Sequence, residues 1–493
     1  MPQSHRPDAP NRLTTGSIPW QLALFALPTL GSSVLQSAGG SIDSAWVGNL
    51  IGEAALAATT NGNLIMFLLV SFVFGFGMAA TILIGQAIGR GALGEARRIV
   101  GTAVGCFLPL AVVVAGAGYV TAPHLLALLG TDPQIEELAR SYLQLTFVAM
   151  PGILMQTMLM MVLRGSGDSL TPLYFMIMAV VLAAVLNPCL ILGLGPLPEL
   201  GIGGSAISLG LANYVSLVAM LAYIYLRDLP LRLRGAELRF LIPDGALLRQ
   251  IVAKGLPIGL QMVVVTTAAL TVLRLINKEG VDTTAAYGAV QQIWTYVQMP
   301  AMALGAAVSA MAAQNIGAGR FDRVARITGI GVVFNIALTG GLIVLLLLAD
   351  RYALSIFLTG GGDALEIGRH VLLVATWGYV AFGVSQVVFG TVRANGKVIP
   401  PLIILAVALY PVRLGFVWAL GPSLGADAIW WSFPVAFSAT MVMGLLYYRF
   451  GHWRPAHSDR LQDPQKPPIA SPSDTQPDPA SCTLSRDIGA HRT

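Results

Sequence analysis

Gly85-Gln-Ala-Ile-Gly-Arg-Gly91 recurs 228 residues later in this chain as Ala313-Gln-Asn-Ile-Gly-Ala-Gly319. A second pair of segments has nearly the same offset, because Leu163-Arg-Gly-Ser-Gly-Asp-Ser-Leu-Thr-Pro172 is matched by Val392-Arg-Ala-Asn-Gly-Lys-Val-Ile-Pro-Pro401. Repeated segments at one common offset indicate a duplicated unit. The chain is therefore predicted to consist of two homologous halves.

The composition of the chain indicates that both halves fold in a membrane. Of its 493 residues, 55% are hydrophobic and only 11% are charged, whereas soluble domains contain about 25% charged residues. Apolar runs long enough to cross roughly 30 Å of hydrocarbon recur along the chain, each bounded by charges, glycine or proline. We predict twelve transmembrane helices, near residues 20–47, 56–85, 99–121, 140–163, 172–194, 203–226, 255–276, 285–312, 327–349, 370–392, 400–421 and 425–449.

Six spans in each half fix the symmetry of the repeat. Because six is even, both halves begin on the same side, so their pseudo-two-fold axis runs along the membrane normal. The predicted fold class is an all-α polytopic membrane protein with two homologous six-helix lobes. Its segments are a cytoplasmic N-terminal segment (1–19), an N-lobe (20–226), a solvated cytoplasmic linker (227–254), a C-lobe (255–450) and a disordered cytoplasmic tail (451–493).

The distribution of positive charge gives the orientation. With both termini in the cytoplasm, all but six of the 29 Lys and Arg residues fall in cytoplasmic segments, as the positive-inside rule requires. The net charge of +5 therefore reflects topology and gives no reason to expect nucleic-acid binding. The six exceptions are Arg140, Arg274, Lys278, Arg351, Arg369 and Arg413.

Asp43 stands inside the first span, in the run Leu35-Gln-Ser-Ala-Gly-Gly-Ser-Ile-Asp-Ser-Ala-Trp-Val-Gly48. A carboxylate near the centre of a transmembrane helix costs about 2.5 to 3.5 kcal/mol on insertion scales and usually marks a functional site. The alternative is that Asp43 lies at the helix end among lipid headgroups, where Trp46 would also be at home.

The repeated Gly-x-Gly segments are short turns that need positive φ or close backbone approach. They lack the preceding strand and the lysine of a phosphate-binding loop, so nucleotide binding is disfavoured. The three cysteines and six histidines show no metal-ligand spacing. We therefore expect a protein that is not an enzyme and needs no cofactor, and whose energy comes from an ion or substrate gradient.

At this point the sequence resembles the multidrug and toxic compound extrusion (MATE) transporters. The resemblance rests on Asp43-Ser-Ala-Trp-Val-Gly48, the Gln-x-x-Gly-x-Gly segments, the turn at 164–172 and Leu186-Asn-Pro-Cys-Leu190. It covers about residues 18–450 and implies twelve helices around a central cavity. It also implies a multi-pass protein of the bacterial inner membrane, surrounded by lipid and monomeric, that exports cationic or amphipathic compounds in exchange for sodium ions or protons.

The resemblance also suggests which lobe couples transport to the ion. The NorM-like branch carries acids in the seventh and tenth spans, but here Val265 aligns with the first acid and the tenth span has no Asp or Glu. Asp43 alone fits the DinF-like branch, whose fifth-span Asn and Asp align with Ala183 and Asn187. One carboxylate, the Asn187 amide and the Ser205 hydroxyl would be a thin sodium cage. Proton coupling through Asp43, Asn187 and Ser205 is the prediction.

Other polar and soft side chains are candidates for the substrate cavity. The flexible methionines of the fourth span would suit varied ligands, although ordinary packing is the more frequent role of such residues. Arg413, in the eleventh span, can snorkel or pair with a carbonyl, and a role in binding anions is the alternative. The predicted cavity residues are Gln36, Asp43, Met155, Gln156, Met158, Asn187 and Asn213.

The function predicted from the sequence is a secondary antiporter that exports organic cations or amphipathic drugs against proton entry by rocking of the two lobes. A lipid-linked saccharide flippase of the same superfamily is the first alternative. Those relatives often have fourteen spans and a cationic cavity, whereas this cavity is predicted to be nearly free of Lys and Arg. The second alternative is a passive channel in which Asp43 is structural.

Overall fold

The computed structural model describes residues 13–128, 135–194, 198–358 and 362–453. The first twelve residues and the part of the predicted tail from residue 454 onward lie outside these ranges. The first half of the chain forms six long helices. They are α1 (Ile18–Leu50), α2 (Glu53–Gly89), α3 (Leu93–Leu128), α4 (Glu136–Gly165), α5 (Leu170–Leu192) and α6 (Ile202–Leu226).

The second half repeats this order with more interruptions. Its helices are α7 (Gly245–Ile276), α8 (Val281–Gly317), α9 (Phe321–Leu348), α10 (Asp350–Ser355), α11 (Asp363–Ala375), α12 (Gly378–Ala394), α13 (Ile399–Val407), α14 (Arg413–Leu424) and α15 (Asp427–Phe450). Among the described residues, eleven helical segments are long and apolar enough to cross a membrane, and the bent pair α11 and α12 supplies a twelfth span. The twelve predicted spans are confirmed.

Two spans of the second half are irregular, which the sequence analysis did not predict. The tenth span bends by 45° between α11 and α12. Gly378 begins α12, and a Cβ at this position would lie 2.8 Å from Pro434 of α15, so the bend occurs at a close helix contact. In the eleventh span a π-helical turn, Ala408–Val412, joins α13 to α14. Pro411 lies in this turn and has no N–H to continue an α-helical ladder.

Each half has its own apolar core. In the first half, Tyr142 and Phe147 of α4 pack with side chains of α1, α2, α3 and α6. In the second half, Trp294, Tyr379 and Phe433 form the centre of an aromatic core shared by α8, α12 and α15. Burial of large aromatic side chains is the strongest apolar contribution available to each bundle.

The segment between the halves is docked, not merely solvated as the sequence analysis expected. Its 3-10 helix, Gly235–Leu241, lies on α3, where Gly101 and Gly105 leave no room for a Cβ beside the backbone of Phe240 and Leu241. Arg97 of α3 pairs with Glu237 at 2.8 Å. The helix α7 starts at Gly245, ten residues before the predicted span, because the Asp244 carboxylate caps it through the Ala246 N–H at 2.9 Å.

The halves meet where the repeated segments end α2 and α8, and we call this end of the bundle the turn end. Gly89 and Gly317 are the last residues of the two helices, and each lies directly on the backbone of the other helix, at Gln314 and Gln86. A Cβ at either glycine would collide with a carbonyl oxygen. The helices can therefore cross at this distance only because both positions are glycine.

Replacing Gly317 with valine should separate α2 from α8 and destabilise the bundle by about 1 to 3 kcal/mol, as is typical of overpacking. Gly288→Val is the matched control, since Gly288 lies on the same helix with no atom within 4 Å of an added Cβ. Thermal unfolding of the purified proteins in detergent measures the effect. Equal melting temperatures for the two variants would show that the crossing does not depend on glycine.

Candidate functional site

Asp43 lies on α1 within a set of hydrogen-bond donors from α5 and α6. The Asn187 side chain donates from Nδ2 to Asp43 Oδ1 at 2.6 Å. The Ser205 hydroxyl donates to the same carboxylate oxygen at 2.5 Å. The structure thus brings together the three residues that the sequence analysis selected for ion coupling, although they are up to 162 positions apart.

Local features of α5 and α6 explain why these donors reach Asp43. Gly201, with φ of 52°, turns the chain into α6. Gly204 then packs on α5, where a Cβ would lie 2.6 Å from the Leu190 carbonyl oxygen. This close approach of the two helices places Ser205 and Asn187 beside the same carboxylate.

Asn187 is itself buried and only partly satisfied. Its side chain is 2% exposed, and its Oδ1 atom has no hydrogen-bond partner among the described residues. Pro188 follows it in α5 and supplies no N–H, so the Ala184 carbonyl lacks its usual helical partner. The site thus offers one carboxylate, one amide and one hydroxyl, with an unused amide acceptor.

No group of three or more His, Cys, Asp and Glu side chains suited to a metal occurs in the part of the chain that the structure describes. A carboxylate held by an amide and a hydroxyl can instead exchange a proton or bind a cation. Both donors meet Oδ1 of Asp43, so they orient the carboxylate from one side.

The other predicted cavity residues have contacts elsewhere in the bundle. Gln36 is exposed on α1. Met155 and Met158 are buried in an apolar cluster with α2 and α3. Gln156 donates to Ser216 at 2.9 Å, and Asn213 donates to the Leu209 carbonyl of its own helix at 2.7 Å. Their contact with substrate stays a prediction.

Two glutamines of the repeat were noted in the sequence but not assigned a role. Gln86 of α2 donates to the Ala394 carbonyl at 2.7 Å, and Gln314 of α8 donates to the Gly165 carbonyl at 3.2 Å. Each side chain thus reaches a carbonyl of the other half. Gln86 binds the end of the tenth span, and Gln314 binds the end of the fourth span, which is its equivalent in the first half. The repeat itself was the signal, because the two glutamines and their two acceptors occupy matching positions.

Arg413 was singled out in the sequence, but its environment was not predicted. The side chain is only 5% exposed, so it does not snorkel to an interface. Its guanidinium carbon lies 3.8 Å from the centre of the Phe433 ring. Hydropathy places a residue in a span but does not say which neighbours its side chain meets.

Comparison with known proteins agrees with this architecture. The MatE family model matches residues 28–189 and 257–419, one segment in each half. The chain belongs to the MATE family. Its twelve helices accordingly form two homologous six-helix lobes, the N-lobe from the first half and the C-lobe from the second.

Named MATE relatives are similar over nearly the whole chain. "Probable multidrug resistance protein YoeA" of Bacillus subtilis is 34% identical over 94% of this chain and 100% of its own length. "Probable multidrug resistance protein YpnP" of the same species is 31% identical over 90% of this chain and 97% of its own length. A crystal structure of MATE in complex with MaD3S superposes with a TM-score of 0.82 at 18% identity, covering 90% of this chain and 98% of that one. This MATE protein is therefore a multi-pass membrane transporter of the multidrug resistance type.

Ser205→Ala removes one donor to Asp43, and a hydrogen bond to a charged group contributes about 1.5 to 3 kcal/mol. We expect a lower melting temperature and slower transport. Ser208→Ala is the matched control, because Ser208 is equally buried one turn along α6 and donates only to the Ser205 carbonyl. Melting temperatures and dye efflux rates are compared between the two variants. Indistinguishable values would contradict a role for the hydrogen bond from Ser205 to Asp43.

Proposed function

We propose that this MATE protein is a secondary active antiporter that exports cationic or amphipathic organic compounds in exchange for protons, with Asp43 as the coupling residue. The observation that carries the proposal is the pair of hydrogen bonds from Asn187 and Ser205 to Asp43 Oδ1. They hold a carboxylate in the outer half of the N-lobe, where its protonation changes the charge of the transport pathway. A carboxylate of this kind inside a membrane usually serves ion movement.

The donor set supports a proton over a sodium ion. Sodium is held by several oxygen ligands, ideally with more than one negative charge. Here the two groups that donate to Asp43, the Asn187 amide and the Ser205 hydroxyl, are both neutral. A second carboxylate does not contact Asp43 among the described residues. Proton binding requires only Asp43 itself.

The Oδ1 atom of Asn187, which has no hydrogen-bond partner among the described residues, can accept a hydrogen bond from a protonated Asp43. While Asp43 is ionised, the amide donates through Nδ2. Once Asp43 is protonated, its O–H needs an acceptor, and a rotation of the amide brings Oδ1 to the same position. An amide can therefore satisfy both charge states of Asp43 without a change in its own protonation, whereas an ionised Asp at position 187 could only accept.

Exchange of substrate and proton then follows from competition. An ionised Asp43 attracts a cationic compound, and protonation from outside removes that attraction. When one proton enters for each monovalent cation that leaves, no net charge crosses the membrane, so the driving force is the pH difference, about 1.4 kcal/mol for each pH unit. The proton leaves on the cytoplasmic side after the lobes have reoriented.

We propose that the turn end is cytoplasmic and that the glycine crossing with its two glutamines is the cytoplasmic gate. The positive-inside distribution of Lys and Arg supports this orientation, with both termini inside. The crossing keeps this end closed, so the structure corresponds to a state that loads protons from outside. The residues that precede α1 also connect the two lobes at this end. Asn315 donates to the Leu13 carbonyl at 3.0 Å, and Arg320 donates to the Thr14 carbonyl at 2.7 Å.

Asp43→Asn keeps the size of the side chain but removes the titratable group. We expect proton-driven uptake of a cationic dye into inverted vesicles, which corresponds to export from the cell, to fall at least tenfold. The assay imposes proton and sodium gradients separately, which also distinguishes the two ions. Asp282→Asn is the control. Asp282 lies in the first turn of α8 in the C-lobe, and its replacement should leave the transport rate unchanged.

Wild-type rates in the Asp43→Asn protein would contradict the coupling role. Dye export by the wild type that needs only a sodium gradient would contradict proton coupling. Downhill flux without any ion dependence would identify a channel instead.

The gate can be locked by a disulfide between Gly85→Cys and Ala313→Cys. A Cβ at Gly85 would lie 3.0 Å from the Ala313 Cβ, close to the roughly 3.5 to 4.5 Å of natural disulfides. In a background with serine at positions 106, 189 and 482, oxidation should abolish transport, and reduction should restore it. Each single cysteine variant is its own control, and rapid transport by the cross-linked protein would show that this end need not open.

A further inference from the structure

Arg413 is a buried cation of the C-lobe that the proposed coupling mechanism does not use. It begins α14, directly after the π-helical turn Ala408–Val412. Its Nε donates to the Ser432 hydroxyl of α15 at 3.3 Å. Its Nη2 is buried and has no hydrogen-bond partner among the described residues. π-helical turns inside transmembrane helices are frequent at functional sites.

An unpaired guanidinium in this position is energetically costly. Taking an ion out of water costs several kcal/mol even after relaxation, and the cost is offset only by a counter-ion or by full hydrogen bonding. No Asp or Glu of the described chain forms an ion pair with Arg413. The nearest acid along α15, Asp427, pairs instead with His370 at 2.8 Å. The group therefore lacks an anion.

The surroundings of Arg413 are aromatic. Phe433 stacks on its guanidinium at 3.8 Å. Trp294 lies 4.9 Å from Phe433 between ring centres, and Tyr287 lies 6.2 Å from Trp294. Ring faces attract the cation, but they cannot neutralise its charge or accept the hydrogens of Nη2. They belong to the packed core of the C-lobe, so a ligand can reach Arg413 only after some of these rings have separated.

The two lobes thus hold polar centres of opposite sign at corresponding places. In the N-lobe the fifth and sixth spans supply Asn187 and Ser205 to the carboxylate of Asp43. In the C-lobe the corresponding eleventh and twelfth spans supply Arg413 and Ser432. A substrate that reached both centres would carry a cationic and an anionic group.

We propose that the C-lobe contains a second substrate site, in which Arg413 binds the carboxylate of an aromatic compound. Planar bidentate pairing with a carboxylate uses the free edge of the guanidinium. The Phe433 ring turns away from the cation when the ligand enters, and the neighbouring rings stack on the ligand. This proposal rests on the proposed export function and names Arg413 as the residue that recognises the carboxylate of such a substrate.

Rhodamine 110 and rhodamine 123 test the proposal, because the second dye is the methyl ester of the first and lacks its free carboxylate. Fluorescence anisotropy of each dye with the purified full-length protein measures binding without any gradient. Arg413→Gln should lower the affinity for rhodamine 110 at least tenfold and change the affinity for rhodamine 123 less than twofold. Arg413→Lys should retain part of the affinity for rhodamine 110, since it keeps the charge but not the planar fork.

The matched control is Arg393→Gln. Arg393 is the other strongly buried arginine of the C-lobe, but amide oxygens of Gln261 and Gln386 lie 3.4 Å from its terminal nitrogens. Its replacement should leave the ratio of the two dye affinities unchanged. The proposal would be overturned if Arg413→Gln lowered the affinity for both dyes equally. It would also be overturned if Arg413→Gln and Arg393→Gln changed the ratio of the two affinities by the same factor.

A competition experiment keeps the proposal testable in the wild-type protein if Arg413→Gln does not fold. Excess 2-naphthoate should displace rhodamine 110, whereas the neutral 2-naphthamide should not. Equal displacement by both compounds, or no binding of rhodamine 110 to the wild type, would overturn it. Proton-driven export of rhodamine 123 tests the proposed function separately, so the two failures are distinguishable.

Discussion

The reciprocal contact of two glycines with two helix backbones is the constraint on which the arrangement of the lobes depends. Gly89 and Gly317 bring α2 and α8 together at a distance that any other residue would prevent. That distance allows Gln86 and Gln314 to reach carbonyls in the opposite lobe. Beside this polar contact the lobes also share an apolar cluster, in which Ile18 and Phe25 pack with Met311.

Hydropathy and the internal repeat predicted the twelve spans and the two lobes, because both depend on averages over many residues. The 45° bend of the tenth span was not predictable in this way, since it depends on Gly378 meeting Pro434 of a distant helix. The linker was predicted as solvated because its residues are charged. The structure instead uses those charges, such as Glu237, to dock it on α3.

The site around Asp43 was predictable to a different extent. The carboxylate stands out in an apolar run, and the family resemblance aligned Asn187, so both could be selected from the sequence alone. Their hydrogen bonds depend on the close packing of α5 and α6 at Gly204, which a sequence does not display. The pairing of Arg413 with Phe433 was invisible for the same reason, since rotation of a helix in its bundle decides which side chains meet. The partners of Asp43 could thus be selected through the alignment, whereas the partner of Arg413 could not.

The docking of the linker has a mechanical consequence. Residues Gly235–Leu241 are held on α3 by two glycine contacts and the ion pair of Glu237, so they belong to the rigid body of the N-lobe. Arg98 of the same helix also holds Asp244, the residue that caps α7, at 2.9 Å. The covalent connection between the lobes is therefore held on α3 as far as the residue that caps α7. If the lobes rock as proposed, this attachment keeps the start of α7 beside α3 while the far end of the helix moves.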